Sequence, residues 1–140
     1  MFDKVIMKNI KIRVADLEVK AQLNNSKTAS LIWDSLPQES SVNTWGDEIY
    51  FNIPINTGLE NGVDIVEIGD LGYWPDGPSF CIFFGPTPIS KPGKIRPASK
   101  VNLIGKIIGE AKVFKKAKAG QTIIVEKSNE DITYGARSAT

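Results

Sequence analysis

Lys8-Asn9-Ile10-Lys11-Ile12-Arg13-Val14-Ala15-Asp16-Leu17-Glu18-Val19-Lys20-Ala21-Gln22-Leu23 carries the plainest structural signal in the chain. Ile10, Ile12 and Val14 alternate with Asn9, Lys11 and Arg13. Beyond Ala15-Asp16, Leu17, Val19, Ala21 and Leu23 alternate with Glu18, Lys20 and Gln22. Successive side chains of a strand point to opposite faces, so each run presents one apolar and one polar face. Two such runs around a short break predict a hairpin with one face on a core and the other in water.

Working outward, Asn25 or Ser26 is placed to cap a helix whose Ala29, Ile32, Trp33 and Leu36 share one face, and Pro37 stops it. A lone amphipathic helix among strands suits a plug at the end of a barrel. Residues 41–53 return to extended pattern, with Ile49, Phe51 and Ile53 alternating with Glu48, Tyr50 and Asn52. Residues 55–61 read as loop, residues 64–68 as a short strand, and residues 69–78 as turn chemistry around Tyr73 and Trp74. The continuous apolar run Phe80-Cys81-Ile82-Phe83-Phe84 is that of a strand buried on both faces. Residues 85–100 carry Pro86, Pro88, Pro92 and Pro97 and form a long, stiffened loop, of the length that tends to be functional or disordered. Strands are expected over residues 101–108, with a bulge or bend at Gly105, and over residues 122–126. The organisation expected is one domain over residues 1–127 and a polar tail, residues 128–140, frayed in part. Many short strands with frequent Gly/Pro turns make the chain all-β, a barrel or a sandwich.

The 140 residues carry a net charge of +1, too little for a strong non-specific grip on nucleic acid or an acidic membrane, so neither is expected as a partner. There is no histidine, which removes imidazole acid–base chemistry, Ser–His and Cys–His nucleophiles and most zinc sites. The single cysteine, Cys81, forms no intrachain disulfide and reads as buried and inert. No run of alternating Asp suggests a hard-cation loop, and the Gly-Lys pair at 105–106 lacks the phosphate-loop pattern, so no metal or cofactor is expected. Charges interrupt every apolar pair of the N-terminus, which has neither signal-peptide core nor spanning segment; the expected location is the cytoplasm.

Among candidate residues, the aromatics Trp45, Tyr50, Tyr73, Trp74, Phe80, Phe83 and Phe84 suit a pocket for a flat or proline-like ligand. Phe80 to Phe84 read first as core, whereas Tyr73 and Trp74 read equally well as core or pocket wall. Asp47-Glu48 reads as a solvated turn, because neighbours on a strand point to opposite faces and share no site. Asp70 and Asp76 read as turn residues. Arg96 is placed to clamp a carboxylate or phosphate, or to form a surface ion pair. Lys112, Lys115, Lys116 and Lys118 read as a solvated face guarding an edge strand.

Three segments then carry a resemblance. Gly72-Tyr73-Trp74-Pro75-Asp76-Gly77-Pro78-Ser79-Phe80-Cys81-Ile82-Phe83-Phe84-Gly85-Pro86-Thr87-Pro88 resembles a family of small prokaryotic proteins with a cyclophilin-like fold. So do Trp45-Gly46-Asp47-Glu48-Ile49-Tyr50-Phe51 and Arg96-Pro97-Ala98-Ser99 leading into Val101-Asn102-Leu103-Ile104-Gly105. The likeness spans about residues 8–127 and implies a compact, closed antiparallel barrel capped by one short helix. It does not carry catalysis. True cyclophilins are peptidyl-prolyl isomerases with a Phe-His-Arg motif and a further histidine at the groove, and this chain has neither. Of its three arginines, Arg13 belongs to the first strand, Arg137 to the tail, and Arg96 lies off the family's motif.

The expectation is therefore a non-catalytic binding module for a small molecule or proline-containing peptide. Its groove is expected around Trp45, Tyr73, Trp74 and the loop 85–99, with Tyr50, Phe83, Thr87 and Arg96 completing the ligand-binding set. A divergent prolyl isomerase, with Arg96 or a backbone N–H assisting, is the alternative. Exposed aromatics and strand edges also keep homo-oligomerisation open.

Overall fold

In the computed structural model, residues 5–6, 8–128 and 133–134 are described. The elements run β1 (Val5–Ile6), β2 (Lys8–Val14), β3 (Leu17–Leu23), α1 (Lys27–Ser35), β4 (Gln38–Ser41), β5 (Asn43–Thr44) and β6 (Glu48–Asn52). Then follow β7 (Asp70–Trp74), β8 (Ser79–Phe83), β9 (Asn102–Ile108), a 3-10 helix (Ala111–Lys116), β10 (Thr122–Lys127) and β11 (Thr133–Tyr134). β1 pairs with β11; of the expected tail, residues 129–132 and 135–140 lie outside the described residues.

Nine strands form one antiparallel sheet in the order β4-β10-β2-β3-β9-β7-β8-β6-β5. Its two outermost strands are separated in the chain only by Val42. β4 pairs with β10 and β5 pairs with β6, so the stretch 38–44 bridges the two ends and nearly closes the sheet into a barrel. Val42 is buried at the junction, donating its N–H to the Gln121 carbonyl and accepting from Gly120. Closure leaves few unpaired backbone groups at which another chain could add.

The β2–β3 hairpin forms as its alternation requires, with Ile10, Ile12, Val14, Val19, Ala21 and Leu23 buried. Ile49 and Phe51, Leu71 and Tyr73, and Phe80 and Ile82 join them from the far wall, the Phe51 and Phe80 rings stacked with centroids 5.2 Å apart. Ser26 caps α1 by accepting from the Ala29 N–H, and the helix sinks Ala29 and Ile32 into the same core. The bulge expected at Gly105 is present. Consecutive Leu71 and Gly72 on β7 face Gly105 and Leu103, leaving Ile104 as the extra residue.

Two expectations are corrected. Residues 70–74 form the central strand β7 rather than a turn, because neighbours β8 and β9 supply pairing that overrides the glycine-rich composition. Residues 64–68 form no strand; Val63 and Val66 make isolated bridges to Val101 and Ile95. Polar Gln38–Ser41, which shows no strand periodicity, is a strand by pairing with β10 alone. The lysine cluster is exposed, as expected of a solvated face. It lies on and after the 3-10 helix that buries Phe114 against Phe84, ring centroids 6.3 Å apart.

The outer face of β6, β8 and β7 is covered as well. Residues 63–66 and 95–101 fold over it and bury Val66, Cys81, Phe83 and Val101 in a second cluster, with Tyr50, Trp74 and Ile95 packed against it. This covering is why the run Phe80–Phe84 is apolar on both faces, as expected. Among the described residues no helix is long and apolar enough to cross a membrane.

Candidate ligand cavity

Between this outer face and the proline-rich loop lies a cavity of about 230 Å³, lined by Trp45, Glu48, Tyr50, Trp74, Pro97, Ala98 and Val101. Glu48 and Tyr50 are two residues apart on β6, so both point outward while Ile49 and Phe51 point into the barrel. Tyr50 stands opposite Cys81 and Glu48 opposite Phe83 on β8.

The walls are held from behind. Trp45 occupies the turn between β5 and β6, closed by its own N–H donating to the Glu48 carbonyl at 3.0 Å. Gly46 there has φ +60°, and a Cβ would come within 2.9 Å of the Pro86 carbonyl oxygen and the Pro88 ring. Only glycine meets both demands cheaply. Asp47 completes the contact by donating its N–H to Pro86 and accepting from the Phe84 N–H.

Trp74 ends β7. Its indole N–H donates to the Ser99 hydroxyl at 2.6 Å, and Ser99 in turn donates to the Asp76 carboxylate. A Cβ at Gly77 would lie 2.6 Å from the Trp74 ring, so the turn residue behind it must be small. The loop is tied internally by Ser90, whose hydroxyl accepts from the Thr87 and Arg96 N–H groups, and by the Thr87 hydroxyl donating to the Arg96 carbonyl.

Glu48 is the chemically unusual member. It is only 6% exposed, and no lysine or arginine among the described residues pairs with it. Burial pushes its carboxyl up to about 7, with the Cys81 thiol beside it drawing it partly back. Burial, and then Glu48 itself, drive the Cys81 thiol well above the usual thiol range, so it is no nucleophile at neutral pH. Among the described residues no group of three or more acidic or cysteine side chains is placed to hold a metal ion.

A family model described as cyclophilin-like matches residues 8–126. The chain belongs to the cyclophilin-like family. The solution structure of a hypothetical protein from Archaeoglobus fulgidus is similar, with 38% identity and a TM-score of 0.75 over 91% of this chain and all of that one. No curated protein matches the sequence.

Of the residues expected to bind ligand in this cyclophilin-like domain, the fold brings Trp45, Tyr50 and Trp74 together on the cavity. Tyr73 faces the barrel interior, fully buried, its hydroxyl donating to the Ile55 carbonyl. Phe83 lies behind the cavity in the second cluster, and Thr87 is buried within the loop. Arg96 is off the lining; it makes no ion pair among the described residues, and its Nε is buried without a hydrogen-bond partner. Asp70 accepts from the nearby Glu67 N–H, as a turn residue would, although it begins β7, whereas Asp76 accepts from the Ser99 hydroxyl, distant in sequence, rather than from its own neighbouring backbone. Glu48 is the correction. Read as part of a solvated turn, it is instead buried on the cavity wall, because a loop some fifty residues away in sequence covers its face. The signal was its period-2 partnership with Tyr50.

Proposed function

We propose that this domain binds a compact, largely apolar ligand in the cavity on the outer face of β6, β8 and β7, and that it does so without catalysing a reaction. The observation that carries the reading is where the wall comes from. Every lining residue belongs to one of three sequence segments far apart in the chain: 45–50, 74 and 97–101. The Trp74–Ser99–Asp76 hydrogen bonds hold the Trp74 ring, and the Gly46–Pro86 contact holds the turn that carries Trp45, before any ligand arrives, which lowers the cost of ordering on binding.

At about 230 Å³ the space is just below the ~300–1,000 Å³ range of drug-sized ligand pockets, and suits a small molecule or one side chain of a peptide. Arg96, one of the two groups the isomerase alternative offered beside a twisted amide, lies off the lining and contributes backbone groups to the loop, which weighs toward binding over catalysis. The test is a fragment screen read by tryptophan fluorescence and amide chemical shifts, repeated on Ala98→Trp, which fills the space. Fragments that perturb Trp45 and Trp74 in the native protein and lose affinity at least tenfold in the variant support the reading. Fragments that bind equally to both, or elsewhere, overturn it.

A further inference from the structure

The cavity pairs two features that ordinarily avoid one another. Its walls are aromatic and aliphatic, yet a carboxyl group more than nine-tenths buried opens onto it with no cation opposite. A structural role would ask for a partner, since buried carboxylates in folded proteins are paired or well hydrogen-bonded. Asp70 is the comparison within this chain: equally buried, it accepts from the Glu67 N–H at 2.8 Å and pairs with Lys106 at 3.4 Å. Glu48 has only the weakly donating Cys81 thiol.

We propose, resting on the binding reading above, that the ligand is a small organic cation of the alkylammonium class, its charge set against Glu48 and its alkyl groups against Trp45, Tyr50 and Trp74. The aromatic faces carry negative electrostatic potential and attract a cation, most strongly where water is excluded. An ammonium supplies the counter-charge that the protein leaves out. An anionic ligand would meet a carboxyl group and no positive side chain on the lining. A neutral ligand offers the carboxyl at most a hydrogen bond and no counter-charge.

Binding such a cation requires ionised Glu48. The other titratable groups near it are Tyr50 on the same strand and Cys81 on β8. Asp47 beside it is turned to Lys115, 3.9 Å away, and Asp76 is engaged by Ser99. From the covering loop come Arg96 and Lys100, neither of which pairs with it. With the carboxyl at about 7, affinity for a cation falls roughly tenfold per pH unit below neutrality and levels off above it.

The probes are choline and its neutral isostere 3,3-dimethylbutan-1-ol, titrated by calorimetry and tryptophan fluorescence across neutral pH. Choline is expected to bind at least tenfold more tightly at pH 8, and about a hundredfold more weakly at pH 5 than on the alkaline plateau. Glu48→Gln should reduce choline to the affinity of the alcohol and flatten its pH profile. Trp45→Ala should weaken choline while leaving the slope with pH intact. A trimethyllysine peptide binding more tightly than choline would keep the proposal and place the cation on a peptide. Equal, pH-independent binding of choline and alcohol would overturn the proposal while leaving the cavity a neutral-ligand site. Failure of both probes, with neutral fragments still binding in the cavity, would overturn it as well. Failure of every fragment would remove the binding reading too.

Discussion

Replacing Glu48 by glutamine should stabilise the fold at neutral and alkaline pH, because the native carboxyl is held where its charged form is poorly solvated. Burial raises it from 4.5 to about 7. Between those values the folded state keeps a proton that the unfolded state has released. Stability therefore falls as pH rises through this window and is flat above it. A shift of about 2.5 units corresponds to about 3 kcal/mol, a large part of the ~5–15 kcal/mol by which domains are ordinarily stable. Glutamine has nearly the same shape and never ionises. The variant should match the native protein near pH 4.5 and exceed it by up to about 3 kcal/mol at pH 8. Other shifted groups act elsewhere. Glu60, lowered chiefly by the Thr28 and Lys27 N–H groups, contributes stability that is lost only as pH falls below the usual glutamate range. Lys106, raised chiefly by Glu67 and then Asp70, contributes stability lost only above the usual lysine range. Urea unfolding at half-unit steps from pH 4.5 to 8.5 reads the difference directly. Parallel native and variant curves would refute the reasoning, as would native stability that rises through the window.

Ser99→Ala should cost about 1–3 kcal/mol by leaving the half-buried Trp74 indole N–H without its acceptor, and its indole proton resonance should shift and exchange faster with solvent. Phe51→Ala should cost about 3–5 kcal/mol in urea unfolding, since it removes a fully buried ring stacked on Phe80 at the barrel centre. A loss under about 1 kcal/mol there would mean that the interior collapses around the gap more readily than a closed barrel should.

The barrel was legible where local and tertiary preferences agree. In residues 8–23 the inward face is apolar at every second position, and strand pairing only confirms what the pattern specifies. It was illegible where pairing partners impose extension on an indifferent sequence. Gln38-Glu39-Ser40-Ser41 offers no apolar alternation, yet its backbone joins β10 and carries the chain across the closing seam. Asp70-Leu71-Gly72-Tyr73-Trp74 looks like a turn from its glycine and acid. It is instead held between β8 and β9, with Leu71 and Tyr73 inward.

The site divides along a related line. Aromatics announce themselves by composition, so Trp45, Tyr50 and Trp74, which line the cavity, were singled out together with Tyr73, which does not, because adjacent strand residues face opposite ways. Glu48 was hidden by the opposite rule: a charged residue alternating with Ile49 and Phe51 reads as the wet face of a half-buried strand. That reading holds only if nothing covers the outer face. The apolar outward residues Cys81 and Phe83 on the neighbouring strand already require a cover, and the stiff loop after Phe84 is the nearest candidate to supply it. Once the outer face of β8 is taken as dry, Glu48, directly across from Phe83, must be dry too. A carboxyl so placed lowers stability above neutral pH and has no cationic partner among the described residues. The same absence that makes Glu48→Gln stabilising is what the proposed cationic ligand would fill.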